Sequence, residues 1–253
     1  MSTPENTAFV LVPGSFSPTT FYEKVVPLLQ SHGYAVHPTA LQSAGERPQG
    51  PATFQEDASF IHSTILKLVE QDKDVILAMN SYGGFPGTEA SKGLSKAERE
   101  KEGKKGGIVA LVYLASFIPP VGMSLRASLG DNLPDSIKNA GDYMKLDYDE
   151  DWKNIFSDLL EAEAKHYMNL MPNHSTVSFS GELTYPGYKF IPVTYLLTEN
   201  DKIIPVESQR EMIAFARGEG VDVKVVKTDS GHCPMLSIPA RTVEVLIGAA
   251  KGV

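Results

Sequence analysis

Val75-Ile-Leu-Ala-Met-Asn80-Ser81-Tyr82-Gly83-Gly84 runs from an apolar, β-prone stretch straight into a serine and then a pair of glycines. A strand that ends in a tight turn, displays one hydroxyl and yields to a helix reads this way. Such a turn suits a serine that attacks a carbonyl, because the side chain must stand clear of its own backbone and small neighbours leave it room. The pattern of this nucleophile elbow is Gly-x-Ser-x-Gly, and Met79 takes the place of its first glycine. Serine is also a common helix cap, so the reading depends on partners elsewhere in the chain.

Two further strand ends supply them. Pro192-Val-Thr-Tyr-Leu-Leu-Thr198 leads into Glu199-Asn200-Asp201, and Val221-Asp-Val-Lys-Val-Val226 leads into Thr228-Asp229-Ser230-Gly231-His232. Open parallel sheets gather their chemistry at the C-terminal ends of their strands. A hydroxyl, a carboxylate and an imidazole delivered at three such ends make a nucleophile, an orienting acid and a base. Glu199 and Asp229 are rival acids. The other usual place for the acid follows the strand Ile108–Leu114, where Ala115-Ser116-Phe117 offers no carboxylate, which favours Asp201. The remaining five histidines fall in helices, early turns or the later insertion and read as structural or exposed. Cys233 reads as a small packed residue, since a catalytic thiol needs its own base.

The rest of the chain gives these ends a frame. Phe9–Val12 is a short apolar run, as expected of a strand buried on both faces. Thr19–Ser31 and Thr53–Gln71 show helical spacing, with Tyr34–His37 a strand between them. A helix is expected directly after Ser81. Ser91–Gly107 is charged and glycine-rich, an exposed helix end or loop. Alternating strands and helices predict a parallel sheet with right-handed crossovers. The alternation stops between Pro119 and Tyr188, where no clean strand is visible but helical stretches such as Trp152–Met168 are, and aromatics and methionines are frequent. The expectation is one α/β core, 1–118 and 189–253, with a helical cap, 119–188, inserted before the penultimate of about six mostly parallel strands.

Composition narrows the function. The chain has 253 residues, 42% hydrophobic and 21% charged, with a formal net charge of −8. That length suits a single large core, and the acidic balance argues against a nucleic-acid partner. A lone cysteine excludes an internal disulfide, and the polar start Met1–Thr7 has no basic leader, so a cytoplasmic, membrane-free protein is expected. No cluster has metal-ligand spacing and no phosphate-cradling loop occurs, so neither metal nor cofactor is expected. Composition leaves the oligomeric state open, a homodimer among the options.

Phe9-Val-Leu-Val-Pro13-Gly14-Ser15-Phe16, Asn80-Ser81-Tyr82-Gly83-Gly84, Thr198-Glu-Asn-Asp201-Lys-Ile-Ile-Pro205 and Ser230-Gly231-His232-Cys-Pro-Met-Leu236 resemble the α/β-hydrolase superfamily, in its small esterase and hydroxynitrile-lyase branch with fungal and bacterial relatives. The order Ser81, Asp201, His232 is that of its triad. The resemblance implies Ser81 as nucleophile, His232 as base and Asp201 as its orienter. It also implies an oxyanion hole from the backbone amides of Ser15 and Tyr82. Phe16, Phe117 and Trp152 are candidate walls of the substrate pocket. Two residues depart from the family pattern: Pro13 stands where a histidine commonly opens the oxyanion turn, and Met79 must find room beside the elbow.

The leading expectation is a serine hydrolase cleaving a small, largely apolar ester or lactone through an acyl-serine. The alternative keeps the triad for a cofactor-free lyase or other proton-transfer reaction: elimination, isomerisation or C–C cleavage. A ligand receptor on the same scaffold ranks last, because all three triad residues are retained.

Overall fold

The computed structural model describes residues 3–130, 137–139 and 141–252. Nine strands are present among them: β1 (Thr7–Val12), β2 (Ala35–Pro38), β3 (Asp74–Ser81), β4 (Gly107–Ser116), β5 (Ile137–Asn139), β6 (Tyr143–Leu146), β7 (His174–Ser175), β8 (Val193–Thr198) and β9 (Val223–Thr228). Six of them form one wholly parallel sheet in the order β2-β1-β3-β4-β8-β9. Every residue of β1, β3, β4 and β8 is buried. Helices cover both faces of the sheet, so these strands read as continuous apolar runs rather than alternating ones.

The flanking helices explain where the chain turns. The stretch 19–31 is not one helix: a 3-10 turn, Thr19–Tyr22, precedes α1 (Val25–Ser31). Pro27 accounts for the break. In a helix begun at Thr19 its ring would clash and cost an interior hydrogen bond, whereas in a helix begun at Val25 it sits in the first turn, where an amide proton has no helical partner anyway. The next helix, α2 (Phe54–Val69), starts on a capping box in which Thr53 and Glu56 satisfy each other's backbone amides. After the elbow comes α3 (Gly84–Ala90). The stretch 91–107 is more ordered than its charge suggests. It holds α4 (Lys96–Lys101), capped by Ser95, and Arg99 is buried, donating to the carbonyls of Gly106 and Val69.

The insertion between β4 and β8 is mixed rather than purely helical. It carries α5 (Leu125–Ser128), α6 (Trp152–Ile155) and α7 (Glu161–Met168), and an antiparallel sheet β5-β6-β7. Those strands are two to four residues long, too short to print an alternation on the sequence. The parts of the expected cap at 131–136 and 140 lie outside the described residues. The cap is stitched to the core: the Ser175 amide donates to Ser43 O at 2.8 Å, the Gly45 amide to Asn173 O at 2.7 Å, and Ala44 bridges His174. The chain closes with α8 (Val206–Gly218), α9 (Pro234–Ser237) and α10 (Pro239–Lys251). No helix among the described residues is long and apolar enough to cross a membrane.

Candidate active site

Ser81 is the last residue of β3 and has φ +51°, a left-handed conformation that a non-glycine residue adopts only when its surroundings enforce it. Its carbonyl accepts the Ser116 hydroxyl at 2.8 Å and the Phe117 amide at 3.4 Å, which pins the elbow to the end of β4. From the other side, Gly14 lies so close that a β-carbon there would stand 2.8 Å from the Ser81 β-carbon. Met79, the residue that breaks the elbow pattern, finds its space against Gly87 of α3.

Asp201 and His232 are brought together as the chain order implied. His232 Nδ1 lies 2.8 Å from Asp201 Oδ2, and both residues are buried. The carboxylate is fully occupied. Its Oδ1 takes the amides of Ile203 and Ile204 at 2.8 and 2.9 Å, and its Oδ2 also accepts from Thr198 Oγ1 at 3.2 Å. Of the rival acids, Glu199 pairs with Arg210 instead, and Asp229 meets Asn200 only through its backbone carbonyl. The His232 loop is held twice more. Asn80 Nδ2, in β3, reaches His232 O at 3.2 Å and Leu114 O at 2.8 Å, and the Gly231 amide donates to Asp158 of the cap at 2.6 Å.

Ser81 and His232 face one cavity of about 340 Å³. Gly14, Ser15 and Phe16 form part of its wall, with Ile155, Met171 and Ile203 among its apolar lining and Asp151, Asn154 and Lys202 among its polar lining. Among the described residues the Ser81 hydroxyl makes no hydrogen bond; contacts of this kind in ligand-free sites commonly tighten when substrate arrives. Cys233 also borders the cavity. Burial, with the carboxylates of Asp201 and Asp158 nearby, pushes its thiol well above the usual range, so it is not a ready nucleophile.

The expected pocket walls divide. Phe16 lines the cavity. Phe117 borders a neighbouring cavity of about 410 Å³ together with Phe85, Met212 and Phe215. Trp152 is not among the lining residues of either. Its ring packs under the ammonium groups of Lys153 and Lys165 at 5.9 and 5.2 Å, while Asp151, Asn154 and Ile155 face the cavity shared by Ser81 and His232.

Two buried polar residues lie behind the turns that carry Tyr82 and Phe16. Asp57, on the apolar stripe of α2, accepts the Ser43 amide at 2.9 Å, the Ser43 hydroxyl at 2.6 Å and the Tyr82 hydroxyl at 3.1 Å. Burial outweighs these bonds and pushes its carboxyl up to about 6. His174, on β7, is fully buried and is pushed down to about 3 by the same desolvation. Their sequence neighbours carry no sign of either contact.

The sequence profile of the alpha/beta hydrolase family matches residues 9–245, nearly the whole chain. The chain belongs to the alpha/beta hydrolase family. Among relatives of this hydrolase, the "Probable hydrolase R7" of Phoma sp. is 32% identical over 241 residues, covering 94% of this chain and 95% of the relative. The "Alpha/beta hydrolase nvfD" of Aspergillus novofumigatus is 29% identical over 246 residues, 96% of each chain. The crystal structure of polyneuridine aldehyde esterase superposes with a TM-score of 0.77 at 21% identity, covering 97% of this chain and 99% of that one. A pyrethroid hydrolase from Sphingobium faniae superposes with a TM-score of 0.74 at 22% identity, covering 97% of both. At that identity the two structures establish the shared fold.

Proposed function

We propose that this alpha/beta hydrolase is a serine esterase or lactonase acting on a small, largely apolar substrate through an acyl-serine. The observation that carries the reading is the strained Ser81 at the end of β3, sharing one cavity with a His232 whose Nδ1 is held by Asp201 at 2.8 Å. A carboxylate on Nδ1 fixes the proton there, leaves the Nε2 lone pair free to take the serine proton, and stabilises the imidazolium that results. Ser81 Oγ adds to the substrate carbonyl, and the amides of Ser15 and Tyr82 receive the oxyanion. His232 returns the proton to the departing alkoxide. Water then attacks the acyl-serine with the same base and releases the acid. For a lactone, the alcohol and acid remain one molecule.

The cavity volume lies near the lower end of the roughly 300–1,000 Å³ common for ligand pockets, which favours a small substrate. That the relatives bear hydrolase and esterase names agrees with acyl transfer.

Fluorophosphonate labelling and turnover of p-nitrophenyl butyrate test the assignment in wild type, Ser81→Ala and His232→Ala. Stoichiometric labelling and turnover, both lost in the variants, are expected. A folded wild type that neither labels nor turns over ester would overturn the hydrolase reading and bring the lyase and receptor readings forward.

A further inference from the structure

The turn after β1 carries one of the two proposed oxyanion amides, Ser15, and the next residue is strained: Phe16 has φ +58°. A phenylalanine does not hold a left-handed conformation on its own preference, so something must clamp it. The clamp comes from the cap. The Phe16 amide donates to His174 Nδ1 at 3.2 Å, across 158 residues of sequence.

The protonation of that imidazole follows from its partners. Nδ1 accepts a hydrogen bond, so it carries a lone pair and the ring proton sits on Nε2, 3.1 Å from Ser178 Oγ. Ser178 in turn donates its own hydroxyl proton to Ser175 O at 2.8 Å. Every donor in the chain has an acceptor, and the ring is locked in one tautomer and one orientation. Complete burial keeps it neutral.

The same ring touches the other half of the oxyanion site. Tyr82 meets His174 edge to face, with ring centroids 5.3 Å apart and planes at 81°. The Tyr82 hydroxyl is fixed at its far end by Asp57, and Phe179 lies against the Tyr82 and His174 rings. We propose that His174 is a positioning residue through which the cap sets the proposed oxyanion donors, clamping the Ser15–Phe16 turn by hydrogen bond and Tyr82 by ring packing. The inference rests on the hydrolase reading. It makes the cap part of the catalytic apparatus at this point, because β7 carries His174 while its backbone pairs with the core segment 43–45.

Three substitutions separate hydrogen bonding from packing. In His174→Asn the amide oxygen can occupy the place of Nδ1, in His174→Gln only that of Nε2, and His174→Phe keeps a ring but accepts nothing. The readout is kcat and KM for p-nitrophenyl butyrate beside wild type and Ser81→Ala. His174→Asn keeps the acceptor but loses the ring against Tyr82, so kcat is expected to fall only a few-fold, while Gln and Phe lower kcat about 10–100-fold with little change in KM, the scale of a misplaced rather than missing oxyanion donor. Phe matching or exceeding Asn, or all three matching wild type, would overturn the inference while leaving the hydrolase reading intact. A wild type without esterase activity would remove both. Should these variants not fold, Ser178→Ala releases the tautomer with less disturbance and is expected to lower kcat about tenfold, a fraction of the effect of losing a donor outright; an unchanged kcat there would also overturn it.

Discussion

The Sδ atom of Met79 lies 2.5 Å from where a β-carbon on Gly87 would stand. The elbow therefore tolerates a long side chain because α3 is opened one turn further on, and the missing glycine of the motif has in effect moved from position 79 to position 87. Gly87→Ala should overpack this contact and cost about 1–3 kcal/mol. In a Met79→Ala background the same change should cost much less, since the obstructing atoms are gone. Denaturant melts of the four proteins in the cycle measure the coupling, and additive effects would show that the two residues do not share this space.

Asp201 is the acid that meets the histidine, and Asp201→Asn tests what that contact does. The asparagine oxygen can still accept the Ile203 and Ile204 amides, so the turn should persist. Its amide can then face Nδ1 and favour the wrong tautomer. A fall in kcat of about 10³–10⁴ with KM nearly constant is expected by analogy with other serine triads. Glu199→Gln, which touches only the Arg210 ion pair, should leave ester turnover unchanged. The reverse ranking of the two variants would move the acid to Glu199.

The proposed trio was readable because each member closely follows a strand-like stretch, so Ser81, Asp201 and His232 announce themselves within a few residues. The same is true of the six-stranded order of strands and helices. What could not be read is what depends on distant pairing. His174 lies in a cap strand of two residues and finds Phe16 only through the fold. Asp57 occupies an apolar stripe where a charge looks like a surface residue, and its partners Ser43 and Tyr82 come from separate loops. Trp152 is a related case: a large aromatic in the cap suggests a pocket wall, but the cavity takes its lining here from Asp151, Asn154 and Ile155 instead.

The buried Asp57 makes stability depend on pH in a direction opposite to the usual paired carboxylate. Its carboxyl is raised from an ordinary value of 3.8 to about 6 in the folded protein. Between those values the folded state binds the proton more tightly than the unfolded chain does. The contribution of Asp57 is therefore greatest below about pH 4, falls as pH rises to about 6, and is constant above that. At about 1.4 kcal/mol per pH unit the loss is on the order of 3 kcal/mol. Asp57→Asn keeps an acceptor for the Ser43 amide and removes the titration. The variant should gain stability relative to wild type as pH rises from 4 to 6, with a level difference from 6 to 8. Urea melts at each pH test this, and a pH-independent difference would place the ionisation elsewhere.

Asn80 ties β3 to the loop that carries His232. Its side-chain amide bridges Leu114 O at the end of β4 and His232 O in the loop after β9, and it is buried. It immediately precedes Ser81, so one dipeptide supplies both the proposed nucleophile and a strut for the proposed base. Asn80→Ala should leave two buried carbonyls short of a donor, a cost of about 1–3 kcal/mol. It should also free the His232 loop on one side while the Asp201 contact and the Gly231–Asp158 bond remain. Because the imidazole stays attached to its acid but loses its distance from Ser81, the damage should fall on kcat more than on KM, by about 10–100-fold. The rate of fluorophosphonate labelling should drop in parallel, since it reads the same serine activation. A variant that loses stability but labels at the wild-type rate would show that Asn80 braces the sheet without setting the distance between Ser81 and His232.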